Sequence, residues 1–463
     1  MHEERKIISS FLSVRIIILI IFILQIIINF NDYENNYEQI DNNSIILDES
    51  NSTVNLENHK KIKIGICINN LRNGGIERLT SLLLDNFAQI NIFDIYLLTN
   101  SIKQKDEYKI NDKVKRIYLK KDNLIQIIKK KKIDIIIYHP YNEMQIKSLN
   151  QLKTTKTIVY DNSCILFWLY ADSTIFFKTI YKQYQSSKYV ISLISFENDY
   201  LFKKWGINSI LMNNFISYNY DDVIPSDLSS DTILMIGRAE SKFKRFELGI
   251  VSMKFITEQI PNCEMKIVSE IQKGSYLQNK INSLNLQNNI HFMGYTSTPE
   301  IYFKNASLHL FPSISEAFPM VLSETKIYGI PTLLIGLDYI TLAKEGTVII
   351  YDDNPKIIAE EAIKILKDKN YKKKLGRESR RSMKKFNNKK LLKMWIKLLL
   401  SISKGYEYYQ ELRKNSTRLT ESEAINIIHN QLKLLKKRKP KYANMTINDL
   451  ENFSYIINFF YLL

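Results

Sequence analysis

The stretch from Pro312 to Glu324 reads Pro-Ser-Ile-Ser-Glu-Ala-Phe-Pro-Met-Val-Leu-Ser-Glu. It follows Leu308–Pro312, a short apolar run with strand character, and enters a helix-forming segment, Val321–Tyr328, that Gly329-Ile-Pro331 closes. Glu316 therefore lies in a loop after a strand. Glu324 lies eight positions later, about two helical turns on, inside the next helix. A loop carboxylate and a helix carboxylate so spaced can engage different parts of one ligand, and carboxylates accept hydrogen bonds from ribose or sugar hydroxyls.

Outward from this stretch the same alternation continues. Thr232–Gly237, Glu264–Ser269, Ile290–Met293, Thr332–Ile335 and Thr347–Ile350 read as strands, and Phe246–Gln259 reads as a helix. Before a polar break near Asp221–Asp231, Lys61–Asn69, Phe93–Thr99, Ile133–Tyr138, Thr157–Tyr160 and Tyr189–Leu193 are strand-like, with helical patterns over Ile76–Phe87 and Leu124–Lys132. Apolar runs alternating with helical patterns predict parallel sheets with helices on both faces. Two consecutive α/β units imply a cleft between them, with ligands bound beyond the carboxyl ends of the strands. The expected division is 61–225 and 226–404 as two Rossmann-like domains, with a helical basic tail over 405–463.

Two further segments sit where such a cleft opens. Asn73-Gly74-Gly75 lies between a strand and a helix, where glycines admit a ligand to the backbone and free amides attract anions. Gly237-Arg238 with Lys244 and Arg245 also follows a strand and opens a helix. Arginine offers a bidentate fork to phosphate. His139, after the Ile133–Tyr138 strand, is a candidate cleft residue.

The order and spacing of these pieces resemble the glycosyltransferase family 4 ("group 1") enzymes of the GT-B fold, over about Lys61 to Leu400. The carrying residues are Gly74-Gly75-Ile-Glu-Arg, Gly237-Arg238 with Lys244, His291-Phe-Met-Gly294-Tyr, and Glu316-x7-Glu324 between Pro312-Ser and Gly329-Ile-Pro331. The resemblance implies an α/β GT-B fold whose N-terminal domain takes the acceptor and whose C-terminal domain takes a nucleotide-sugar donor. It implies retaining transfer to a glycan, lipid or protein-linked acceptor. Arg238 and Lys244 would hold the diphosphate, Glu316 the donor sugar and Glu324 the ribose. Gly237 and the backbone of Phe318, Pro319, Met320 and Val321 would approach the phosphates, and Gly74 and Gly75 the donor or acceptor. Leaving-group stabilisation by cations and a helix start would replace a metal, with no cofactor beyond the donor substrate. Three departures stand out. Arg238 and Lys244 are one residue further apart than the commonest spacing, Ser269-Glu270 replaces a glycine-containing turn, and Asp161-Asn162-Ser163 stands where many members carry a histidine near the sugar. Asp161 is thus a second candidate cleft residue. A catalytically inactive GT-B protein that binds a glycan or nucleotide is the alternative.

The N-terminus is apolar from Ile16 to Ile28 except for Gln25, and Arg5, Lys6 and Arg15 precede it. This predicts a cytoplasmic tail and signal-anchor over 1–30, then a polar stem over 31–60. The expectation is a single-pass membrane protein, of an ER/Golgi-type endomembrane if eukaryotic. Composition narrows the rest. Of 463 residues 45% are hydrophobic and 24% charged, which excludes wholesale disorder. The three cysteines are distant and lack metal-ligand spacing, so a disulfide framework or zinc site is not expected. The net charge of +17 would suit an anionic partner, but no nucleic-acid module is recognisable and none is expected to bind. No G-x-G-x-x-G follows either first strand, which disfavours a dinucleotide oxidoreductase.

Overall fold

Segments such as Ile62–Ile68, apolar at almost every position, cannot leave one face in water, so they fold as strands covered on both sides. A computed structural model describes residues 60–72, 74–119, 124–139, 155–164, 180–185, 187–272, 274–404 and 407–452. Its first sheet contains β1 (Ile62–Ile68), β2 (Phe93–Thr99), β3 (Lys115–Tyr118), β4 (Ile135–Tyr138), β5 (Lys156–Asp161), β6 (Tyr189–Ser192) and β7 (Ser209–Leu211). Their order is β3-β2-β1-β4-β5-β6-β7, and every pairing is parallel.

The second sheet contains β8 (Thr232–Ile236), β9 (Glu264–Val268), β10 (Ile290–Phe292), β11 (Leu308–Phe311), β12 (Thr332–Ile335) and β13 (Thr347–Ile350). It runs β10-β9-β8-β11-β12-β13, again all parallel. In each sheet the order of strand addition reverses once, beside β1 and beside β8. Loops leave the carboxyl edge in opposite directions at such a reversal, which opens a crevice there.

Six helices matter for the site: α1 (Gly75–Ala88), α2 (Phe246–Gln259), α3 (Met320–Ile327), α4 (Lys369–Ser382), α5 (Asn388–Lys404) and α6 (Glu421–Arg438). The chain does not stay in its second half after entering it. Trp395 of α5 is fully buried and makes edge contacts with Phe87 at 5.4 Å and Tyr160 at 5.5 Å, both belonging to the first half. A division at residue 404 therefore does not follow the packing, because a buried indole holds α5 on the first sheet. Beyond α5 the described part of the basic tail, 407–452, is largely helical and packed. Tyr409 is buried, and its Oη accepts from the Val190 amide at 2.9 Å and lies 2.7 Å from the Asn208 carbonyl. Gln431 of α6 donates to the Gly336 carbonyl at 2.8 Å and to Asp338 at 2.6 Å, on the loop after β12.

The membrane placement expected from the N-terminus is corrected. Among the described residues no helix is long and apolar enough to cross a membrane. The apolar run Ile16–Ile28 that suggested a signal-anchor, and the stem up to residue 59, lie outside the described residues.

Candidate active site

A cleft of about 770 Å³ is lined from both sheets by the loops at their carboxyl ends. On the second sheet, β8 ends at Gly237, whose φ of 144° a side chain would oppose. Ser269, at the end of β9, props this turn: its Oγ accepts the Ala239 amide at 2.9 Å and donates to the Glu270 carbonyl at 3.0 Å. The serine that departs from the usual glycine thus fixes the Gly237-Arg238-Ala239 backbone. Arg238 extends into the cleft with an exposed side chain.

Lys244, just before α2, donates from Nζ to Glu316 Oε1 at 2.5 Å. The pair is largely enclosed, at 20% and 14% side-chain exposure, and the ammonium lies 5.8 Å from the Phe311 ring centre. The Glu316 amide donates to Tyr339 Oη at 3.1 Å, which fixes the loop that presents the carboxylate. Beside it, Pro319 starts α3 without a side-chain cap, and its carbonyl accepts the Leu322 and Ser323 amides at 3.1 and 3.2 Å. The amides of Met320 and Val321 precede those bonds at the cleft wall, and a helix start so left open favours an anion.

Glu324, on α3, is buried and accepts from Ser217 Oγ at 2.5 Å. Arg78 Nε donates to the same hydroxyl at 3.3 Å and stands 3.9 Å from Glu324. Burial raises the Glu324 pKa, and Arg78 and Ser217 oppose that rise. Arg78 comes from α1, so the two halves of the molecule meet at this carboxylate. Neither Arg78 nor Ser217 was singled out by sequence as a site residue, although Arg78 ends the Gly-Gly-Ile-Glu-Arg segment.

Gly74 and Gly75 lie at the start of α1 on the cleft wall; Asn73 lies outside the described residues. A Cβ on Gly74 would fall 1.9 Å from the Glu77 carboxylate, whereas Gly75 faces open space. Burial raises the Glu77 pKa, countered by its own backbone amide and by Arg238. His139 borders the cleft but is buried, with ring nitrogens 3.2 Å from Thr80 Oγ1 and 2.8 Å from Asn162 Nδ2. Burial lowers its pKa to about 4 against a weaker pull from the Tyr160 carbonyl, so the imidazole is neutral near pH 7. Asp161 is turned from the cleft: Oδ1 accepts the Ser163 amide at 3.0 Å and the Ser163 hydroxyl at 2.6 Å, while Asn162, Ser163 and Cys164 form the wall. Among the described residues, no group of three or more His, Cys, Asp or Glu is placed to hold a metal ion.

Residues 219–382 match the family profile described as glycosyl transferases group 1. An uncharacterized glycosyltransferase of Haemophilus influenzae is 27% identical over 124 residues, 26% of this chain and 35% of that protein. Another, of Methanocaldococcus jannaschii, is 26% identical over 204 residues, 37% of this chain and 50% of that protein. The chain thus spans at most half the length of these curated relatives. Among solved structures, sucrose-phosphate synthase from Thermosynechococcus elongatus superposes with a TM-score of 0.63 at 15% identity, over 74% of this chain and 99% of that one. Anabaena HepE, solved with UDP and glucose, superposes with a TM-score of 0.58 at 13% identity, over 73% and 100%. Residues 219–382 form a glycosyl transferases group 1 domain within a chain that has the GT-B fold.

Proposed function

We propose that the protein is a retaining glycosyltransferase that moves a sugar from a nucleotide-diphosphate donor to a glycan, lipid or protein-linked acceptor. The observation that carries this reading is the convergence of Lys244, Arg238 and the open start of α3 on the cleft wall that also presents Glu316. A departing diphosphate gathers negative charge as the bond to the sugar breaks. The Lys244 ammonium and two backbone amides, held in advance, stabilise that charge with little reorganisation, and the exposed Arg238 adds a second cation. Glu316 orients the Lys244 ammonium and offers its second oxygen to the donor sugar. Glu324 already holds one hydroxyl, that of Ser217, and a ribose hydroxyl takes an equivalent place. Structural relatives fit this: HepE was solved with UDP and glucose, and a Staphylococcus aureus TarM variant with UDP and alpha-GlcNAc-glycerol.

The test is a panel of nucleotide-sugars scored for thermal stabilisation and for donor hydrolysis or transfer, with the product anomer read by NMR and the rate repeated in a metal chelator. Lys244→Ala and Glu316→Ala are each expected to lower kcat by about 10²–10³-fold. Unchanged rates would remove the site assignment. Stabilisation by a donor with no turnover of any would favour a catalytically inactive binding protein.

A further inference from the structure

Arg245 stands between Lys244 and α2 with φ 49°, a left-handed conformation that is strained for a residue with a side chain. Such a conformation persists only when its surroundings enforce it. The Arg245 guanidinium is held on two sides. Nε donates to the Pro312 carbonyl at 2.6 Å, and Nη1 meets Asp353 Oδ1 at 2.6 Å. Pro312 begins the loop that carries Glu316, so Arg245 ties the Lys244 turn to the Glu316 loop.

Asp353 has a second partner. Arg438, in the last turn of α6, grips it as a fork, with Nε to Oδ2 at 2.8 Å and Nη2 to Oδ1 at 2.9 Å. The Arg438 side chain is 7% exposed and that of Arg245 13%. Burial alone would raise the Asp353 pKa, but the Arg438 hydrogen bonds and the Arg245 charge hold it down at about 2. The carboxylate is therefore ionised at any working pH. The rest of α6 is fixed to the same edge of the second sheet. Gln431 reaches Gly336 and Asp338, Lys437 meets Asp352 at 2.9 Å, and Leu434 packs where a Cβ on Gly336 would come within 2.5 Å.

We infer that Arg438, acting through Asp353 and Arg245, is a positioning residue for Lys244 and the Glu316 loop, so that the C-terminal helix is part of the donor site. This rests on the donor-site reading proposed above. Arg438 lies well beyond the glycosyl transferases group 1 domain, which ends at residue 382.

The test compares donor hydrolysis or transfer with binding of UDP, GDP and ADP by calorimetry. Arg438→Ala is expected to lower kcat by roughly ten- to a hundredfold, the scale of a small misplacement in a reacting site. Arg438→Lys, which keeps the charge but lacks the fork, should fall between it and wild type. Lys433→Ala, an exposed change on the same helix, should match wild type. The deciding measurement is a double variant. If Arg438 works through Lys244 and the Glu316 loop, then Arg438→Ala costs less in a Lys244→Ala background than in wild type, whereas a merely structural loss would add in full. Arg245→Gly cuts the tether while suiting the left-handed backbone and leaving α6 docked. It should lower kcat and abolish the effect of Arg438→Lys, and it carries the test if Arg438→Ala does not fold. If wild type binds no nucleoside diphosphate, the donor-site reading fails and this inference falls with it. If wild type binds and turns over while Arg438→Ala matches it, or while the losses add, this inference alone is overturned.

Discussion

Asp161 ends β5 with a buried carboxyl, and that burial gives the fold a pH dependence. Desolvation raises its pKa from 3.8 to about 6, against hydrogen bonds from Ser163 and Tyr184 that favour the charged form. Between these two values the folded chain holds a proton that the unfolded chain has released. The stabilisation is thus complete below the unfolded pKa and is lost as pH rises through the folded one. Asp161→Asn keeps an oxygen to accept both Ser163 bonds and cannot ionise. It is expected to stabilise the protein by about 1–3 kcal/mol near pH 7.5, with no difference left below about pH 4. Melting curves across that range check this, and a benefit independent of pH would contradict it. At this same scale the candidate site was legible where chemistry follows the chain. Glu316 and Glu324 were found by spacing, and Arg238 and Lys244 by their place after a strand. Arg78, Ser217 and Arg438 were not, because each acquires its place from a partner distant in sequence. Arg78 closes the Gly-Gly-Ile-Glu-Arg segment, which is its local signal, and Arg245 stands out beside Lys244 as a cation, but its partner Asp353 is too distant for spacing to show.

Among the elements, β2, α2, β12 and β13 fall where the apolar pattern predicts them, because β2 and β12 are buried on both faces and α2 on one, while the edge strand β13 is half-buried. Two sheet members escaped that pattern. β3 is a half-exposed edge strand, Lys-Arg-Ile-Tyr, and β7 has three residues. The helix α4 escaped for a different reason. Its sequence is dominated by Lys and Arg, and its buried face holds Lys372, Leu375, Gly376, Ser379 and Ser382. Small residues let this helix approach backbone directly, so periodic apolar residues are not needed and give no signal. Gly346, just before β13, shows the closeness. Its φ is 67°, and a Cβ there would lie 2.2 Å from the Ser379 amide nitrogen and 2.4 Å from the Leu375 carbonyl. Backbone cannot swing aside as a flexible side chain can. Gly346→Ala is therefore expected to destabilise the fold by about 2–4 kcal/mol, from left-handed strain plus overpacking. Urea unfolding measures it, and a loss under about 1 kcal/mol would show that α4 can shift without cost.

Across the whole molecule the segment after α5 joins what the two sheets would otherwise leave hinged. On the first half, the amides of Arg418 and Leu419 donate to Asp199 at 2.8 and 2.9 Å, and Trp205 Nε1 donates to the Leu450 carbonyl at 3.0 Å. On the second half, α6 holds the loops after β12 and β13 through Gln431, Lys437 and Arg438. Part of the +17 charge is thereby spent inside the structure, on Asp352 and Asp353, and not on an external polyanion. A strap bonded to both halves makes each half's unfolding costly to the other, so the intact chain is expected to melt in one calorimetric transition. Ending the chain at Lys404 removes these bonds. It also uncovers Val190 and Asn208 on the first sheet, which Tyr409 now satisfies. Losing four or five such bonds at about 1 kcal/mol each should lower the first transition by roughly 10 °C. The halves should then separate into two transitions, because α5, the connection near residues 212–231 and a few cleft contacts such as Arg78 with Glu324 are what still links them. A nucleoside diphosphate bound at the second sheet would raise the upper or lower transition selectively, identifying which half carries the donor site. A single unshifted transition in the shortened chain would show that the cleft contacts alone, Glu324 with Ser217 and Arg78 among them, couple the halves.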